Sequence, residues 1–305
     1  VAKMLDGLET LPEIDEPLVT GSRKDLLKND VEILERRRRA GWNSETNRRV
    51  MMPLFKKSPL VTSMADHSPI ASLQPGHLFS ITDCLRAKFV QVTGPTFSKN
   101  RDGALMTMSL FVGKKSESKE VSFGKGDGVV LETPVISNSQ LNVLMSNEKL
   151  EPYELSCTFP VTSGKTTMME RIESILDEAE ERVKNGCLFL NLSDKTVDKD
   201  NAPIPAVLLA SMIHDRLLKK GLRDKVTLSM SYSTIYGGHK QAQVLGMGVD
   251  VVNPYLAFEE PSSSQFSQEE LTLRYNNYIS ACTDMIKSFM APGGIRNIRS
   301  YIGSR

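Results

Sequence analysis

The sequence lacks paired cysteines, a charge imbalance and long apolar runs, and each shortage removes a class of protein. Only four cysteines occur in 305 residues: Cys84, Cys157, Cys187 and Cys282. None stands in a C-x-x-C pair, so zinc, disulfide and iron–sulfur frameworks lack their usual spacing. The expectation is a reduced, cytoplasmic protein. Basic and acidic residues number 38 and 37, a net charge of +1, so total charge draws the chain toward neither nucleic acid nor an anionic membrane. No apolar run reaches the length that spans a bilayer, and residues 1–12 lack the basic-then-apolar order of a secretory signal. What is there, 40% hydrophobic and 25% charged residues, is the composition of a soluble globular protein. The length allows one large core or two modest ones.

Residues 1–21 are punctuated by proline and acid and read as a linker, or as an arm lying on a partner. Ser22 caps a helix with apolar positions at Leu26, Leu27, Val31, Ile33 and Leu34, ending in four arginines, residues 36–39, before Gly41. Four arginines invite a nucleic-acid reading. Cations are also favoured at a helix C-terminus by the backbone dipole, with glycine as the stop, and the neutral total charge favours that account. A second helix follows Ser44, and Pro53 closes or kinks it. Residues 54–76 read as mostly irregular, 77–92 as a helix and 114–120 as a charged surface loop.

From Gly128 onward, short apolar runs alternate with longer periodic segments. Strands are expected near 129–131, 155–159, 187–192, 226–230 and 249–252. Between them lie helices near 137–145, after Gly164 (Met169, Ile172, Leu176, Ala179 and Val183 on one face), from Pro203 and Pro205 to Lys220, and at 236–246. A long helix at 268–289 closes the series. Such alternation calls for a parallel sheet with helices packed on it. An incomplete β/α barrel and an open doubly wound sheet both fit the periodicity.

Several apparent motifs fail on their chemistry. Ser163-Gly164-Lys165-Thr166-Thr167 lies between a strand and a helix, but a phosphate loop needs a glycine where Phe159 stands. Gly124, Gly126 and Gly128 precede a strand instead of following one, the wrong order for a dinucleotide fingerprint. The histidines are His67, His77, His214 and His239. His214, beside Asp215 and Arg216, has no histidine four residues away to build a metal site on one helix face. The spacing assigns no catalytic, cofactor-binding or metal-ligating residue.

Six segments, in order, resemble the central domain of the glutamate synthase large subunit. Residues 63–73, S-M-A-D-H-S-P-I-A-S-L, are similar to S-M-G-N-D-T-P-L-A-V-L in that family. F-V-Q-V-T-G-P at 89–95 resembles F-A-Q-V-T-N-P, and L-E-T-P-V-I-S at 131–137 resembles L-E-S-P-I-L-S. L-S-D-K at 192–195 and I-P-A-V-L at 204–208 stand for L-S-D-R and I-P-A-L-L. D-V-V-N-P-Y-L-A-F-E at 250–259 answers A-D-A-V-N-P-Y-L-A-x-E. The resemblance covers about residues 22 to 305.

The resemblance implies an α/β fold, an incomplete, rudimentary β/α-barrel-like domain at 22–290 behind an N-terminal helical and irregular region. The start of a truncated FMN-barrel-like segment would follow at 291–305. It also implies a context of nitrogen metabolism and ammonia assimilation. In that family an amidotransferase frees ammonia from glutamine, and a tunnel leads it to an FMN barrel with an iron–sulfur cluster. There 2-oxoglutarate becomes glutamate, an oxidoreductase reaction on a CH–NH2 donor. The central domain joins the two parts. Its partners would be the amidotransferase and FMN-barrel domains, in cis or in trans, and this chain would hold no cofactor itself.

Polar positions of the family pattern have changed. Ser231, Thr234 and Tyr236 fall where V-E-[ST]-G-E-A-R-E has its first two glutamates and the arginine. Ser288, Ala291 and Pro292 replace the lysines and serine of K-V-M-S-K-M, just before G-I-R-N-I-R-S-Y-I-G at 294–303. Only His214 remains of a histidine run, and Lys240 replaces the neighbour of His239. The alternative expectation is a stand-alone pseudo-enzyme homologue serving as a binding or structural component of a larger assembly.

Overall fold

In the computed structural model the described residues are 9–17, 23–58, 103, 105–113, 128–261 and 266–304. The expected helix at 77–92, the loop at 114–120, Cys84, His67, His77, Gly124 and Gly126 lie outside them, as do the resemblance segments at 63–73 and 89–95.

The N-terminal arm lies on the chain's own body. Its short strand β1 (Glu9–Thr10) runs parallel to a later strand. Beyond it, Glu16 accepts the backbone N–H of Ser139 at 2.6 Å. A carboxylate there also meets the positive end of a helix dipole. Helix α1 (Arg23–Arg39) follows and stops at Gly41, whose φ of 77° suits a residue without Cβ. The second helix forms as α2 (Ser44–Thr46), a π turn (Asn47–Met51) and α3 (Met52–Phe55). Pro53 therefore kinks the helix without closing it. Its ring crowds the carbonyl four residues back and it has no N–H to give. The widened turn just before it relieves both problems, with the Met52 N–H reaching Asn47 O. Strands β2 (Leu110–Gly113) and β3 (Gly128–Leu131) complete a small sheet in the order β1-β3-β2.

The main body alternates strand and helix, as the periodicity requires. Helix α4 (Asn138–Met145) is started by a reciprocal cap between Ser137 and Gln140. There follow β4 (Tyr153–Ser156), β5 (Thr158–Pro160), α5 (Gly164–Lys184), β6 (Phe189–Ser193), β7 (Asn201–Pro203), α6 (Ala206–Lys219), β8 (Thr227–Ser231), α7 (Gly238–Gly246) and β9 (Val251–Asn253). Helix α8 (Gln268–Met290) and the short α9 (Ile298–Tyr301) close the chain. Three expectations are corrected here. The strand expected at 155–159 is two strands, because the chain turns at Cys157 and β5 leaves to pair antiparallel with β7. Pro203 sits in β7, so Pro205 alone precedes α6. Met169 is 42% exposed, while Ile175 takes its place beside Ile172, Leu176, Ala179 and Val183 in the core.

Strand order decides between the two architectures. The main sheet runs β4-β6-β8-β9, all parallel and in chain order. A doubly wound sheet reverses its direction of growth midway, whereas a β/α barrel adds each strand beside the last. Residues 134–136, which precede α4, return beside the final strand. Val135 bridges Val252 in parallel, the Ile136 N–H donates to Val252 O at 3.0 Å, and the Val252 N–H donates to Pro134 O at 2.8 Å. The sheet thus curls until its beginning meets its end. Among the described residues no pairing joins 134–136 to β4, and the fold is an incomplete β/α barrel. Right-handed crossovers in this order place α5, α6 and α7 on one side.

Candidate functional site

The register sorts the strand residues by chemistry. On the helix side stand Leu155, Leu190, Leu192, Leu228, Met230 and Val252, all buried. On the other side one row aligns Glu154, Asn191, Ser229 and Val251, and the next aligns Ser156, Ser193, Ser231 and Asn253. Strands of parallel sheets are usually apolar on both faces, so this polar face is the departure that marks a candidate site. Its members bond sideways. Asn191 Nδ2 donates to Glu154 Oε2 at 2.8 Å, and Ser231 Oγ donates to Asn191 Oδ1 at 3.0 Å. Asn253 Nδ2 donates to Asn138 Oδ1 and to Ile136 O, which ties β9 to the segment beside it. Ser229 Oγ and Asn253 Oδ1 are buried with no protein partner. Such groups suit an ordered water or a small polar guest.

At the C-terminal ends of the strands, where β/α barrels carry their working groups, a second cluster forms around Asp194. The Ser233 N–H donates to both Asp194 oxygens at 3.0 Å, and Ser233 Oγ donates to Oδ2 at 2.6 Å. Tyr255, following β9, adds its hydroxyl. The carboxylate thereby pins together the ends of β6, β8 and β9. Burial raises it from the ordinary 3.8 to about 6, against the lowering pull of those hydrogen bonds. Beside it the fully buried Tyr232 lies against Cys157, whose thiol donates to Leu155 O. Burial pushes that thiol up to about 12, so it carries no thiolate at neutral pH.

The residues that the sequence singled out take structural posts. His214 lies in α6 with Nδ1 accepting from Arg223 Nε at 3.0 Å, so its proton is on Nε2. Arg223 also reaches Asp250 Oδ2 and Gly248 O, both at 2.7 Å. His214, Arg223 and Asp250, with Phe111, Leu218 and Arg299, border a cleft of about 270 Å³ at the opposite end of the strands. His239 contacts Gln243 and the Phe289 ring. Among the four arginines, Arg37 is the buried one. It lies 4.1 Å over Trp42 and bonds Leu256 O and Glu259 O. Arg36 pairs with Glu259 at 2.8 Å. The run thus ties α1 to the segment after β9, beyond any effect of the helix dipole. Residues 161–163 form a 3-10 turn leading into α5. Tyr236, at one of the altered family positions, stacks 5.4 Å from Trp42.

Two key residues carried a signal that went unread. Asn191 is the polar residue inside the apolar run 187–192, and Asp194 follows a buried strand directly. The described residues hold no cluster of histidine, cysteine and acid fit for a metal. Cys157, Cys187 and Cys282 are buried free thiols.

An incomplete β/α barrel with a polar strand face and a buried carboxylate pin defines the class of this protein. The chain belongs to the glutamate synthase central domain family, whose model matches residues 35–305. It is 28% identical to the chloroplastic ferredoxin-dependent glutamate synthase of Oryza sativa subsp. japonica, over 90% of this chain and 18% of that protein. It is 27% identical to the NADPH glutamate synthase large chain of Bacillus subtilis (strain 168), over 90% and 18%, and 26% identical to that of Azospirillum brasilense, over 97% and 20%. The chain therefore spans no more than a fifth of the length of these relatives. A solved flavocytochrome b2 variant with pyruvate bound is similar over 47% of this chain and 38% of its own, at 15% identity and a TM-score of 0.35. No helix among the described residues is long and apolar enough to cross a membrane.

Proposed function

We propose that this chain is the central connector of a glutamate synthase. It makes no bond itself and holds an amidotransferase domain and an FMN domain with an iron–sulfur cluster on either side of a path for ammonia. The observation that carries this reading is the family match over residues 35–305. The polar sheet face supports it. Serine hydroxyls and asparagine amides hydrogen-bond ammonia without protonating it, whereas a row of carboxylates would hold ammonium. Glu154, at the open edge, is the one ionisable group in those two rows. A reducing compartment suits the free thiols. We take it to be the cytoplasm, although the plant relatives are named chloroplastic.

The alternative, a pseudo-enzyme component of an assembly, is favoured by one observation. Ser231 and Tyr236, which replace charged family residues, are buried and bonded into the body. In the test, the purified chain is expected to be colourless and to form no glutamate from glutamine, 2-oxoglutarate and a reductant. A stoichiometric flavin spectrum or sustained turnover would overturn both readings. The native reading frame separates them: a connector is flanked by a cysteine-initiated amidotransferase and an FMN barrel, whereas a pseudo-enzyme component lacks both.

A further inference from the structure

The cleft of about 270 Å³ at the N-terminal end of the strands takes no part in the connector reading. It falls just below the roughly 300 Å³ at which pockets for drug-sized ligands begin, so its guest is small. Phe111, Leu218, Val226 and Ile302 give it apolar walls. Four charged residues also line it, and their charges cancel: Arg223 and Arg299 against Asp224 and Asp250. Arg223 is spent within the protein. Its Nε, Nη1 and Nη2 donate to His214 Nδ1, Val226 O, Gly248 O and Asp250 Oδ2. Asp224 is engaged as well. Two ends stay available to a guest. The exposed Arg299 gives its side chain one bond, from Nη2 to Phe111 O at 3.3 Å, and keeps Nε and Nη1. Asp250 uses only Oδ2, which takes Arg223 and the Leu228 N–H. Its side chain is 19% exposed, and Oδ1 has no partner among the described residues.

We propose that this cleft binds a small amphipathic zwitterion, an amino acid with an apolar body. The guest's carboxylate lies on Arg299, whose planar fork suits two carboxylate oxygens. Its ammonium donates to Asp250 Oδ1, and its apolar part lies against Leu218 and Ile302. The cancelled lining charge selects this class. A guest with a net charge meets attraction at one end and repulsion at the other, whereas a zwitterion pairs with both. Because Arg299 is open to water, its ion pair is weak, and the dissociation constant is on the order of a millimolar. This site does not rest on the connector reading.

The experiment is saturation-transfer difference NMR on the full chain, titrated with L-phenylalanine and with ε-aminocaproate. Their charges lie close together in the one and far apart in the other. At least one of them is expected to saturate with a dissociation constant of about a millimolar. The matching half-molecules are hydrocinnamate and phenethylamine for the first, caproate and hexylamine for the second. Each should bind about fivefold more weakly than its zwitterion, since it pairs with one end alone. Arg299→Gln, at an exposed position that does not threaten folding, should weaken the zwitterion about fivefold and leave the amines no weaker. Leu218→Ser, also at an exposed position, should weaken it too, with far-UV circular dichroism unchanged in both variants. A chain that neither zwitterion saturates by about 20 mM overturns the proposal. So does a half-molecule that binds as tightly as its zwitterion, or a zwitterion indifferent to Arg299→Gln.

Discussion

Asp194 offers the sharpest test of how this barrel end is held. It is fully buried, with its carboxyl raised from 3.8 to about 6 by burial. The folded chain therefore binds this proton more tightly than the unfolded chain does. Stability from this group is fully present below about pH 4 and is lost as pH rises through 6. The loss amounts to about 3 kcal/mol, a shift of about two units at 1.36 kcal/mol each. Asp194→Asn removes the charge but keeps an acceptor for the Ser233 N–H, and the rotating hydroxyls of Ser233 and Tyr255 can accept from its amide. Asp194→Ala leaves the Ser233 N–H and both hydroxyls without their acceptor, at about 1–3 kcal/mol for each buried group left unpaired. Urea unfolding followed by circular dichroism from pH 4 to 8, with each variant referred to wild type, separates the cases. At pH 7 the asparagine variant should match or exceed wild type, and the alanine variant should lose about 2–4 kcal/mol. Relative to wild type, the asparagine variant should gain about 3 kcal/mol between pH 4 and pH 7. An asparagine variant that keeps the wild-type pH profile would refute the reasoning, because the carboxyl would then not be titrating in that window.

Two further outcomes follow from single contacts. Arg37→Ala should cost about 2–4 kcal/mol, because it leaves the Leu256 and Glu259 carbonyls without their donor and Glu260 with Arg274 as its remaining arginine. Lysine should not rescue it, lacking the planar fork and the stack, and the sole tryptophan, Trp42, reports the change by its fluorescence. Gly248→Ala should destabilise by more than about 3 kcal/mol, since a Cβ there would sit 2.2 Å from the His214 ring at a φ of +108°. In a double-mutant cycle His214→Ala should recover the steric part and leave the backbone strain of about 1–2 kcal/mol.

Elements were more legible in the sequence than sites. Helix α5 and strands β6, β8 and β9 could be read because their apolar spacing reports how they pack. The division at Cys157 could not, since whether Thr158 continues one strand or starts another depends on a partner, β7, some forty residues away. The four arginines looked like a dipole effect because Glu259, Glu260 and Trp42 become their neighbours only after folding. Asn191 and Asp194 were visible as polar residues in and after an apolar run, but their bonds to Glu154, Ser231 and Ser233 cross strands and have no local spacing.

By itself the sequence determined the alternation of strand and helix and the membership of a family, because these follow from local periodicity and residue order. Only the tertiary structure decided that the sheet curls into an incomplete barrel. Both architectures share the same local grammar, and they differ in which strand lies beside which. That choice is made by long-range hydrogen bonds, here by residues 134–136 returning to Val252. The same closure brings Asn138 and Asn253 together on the polar face.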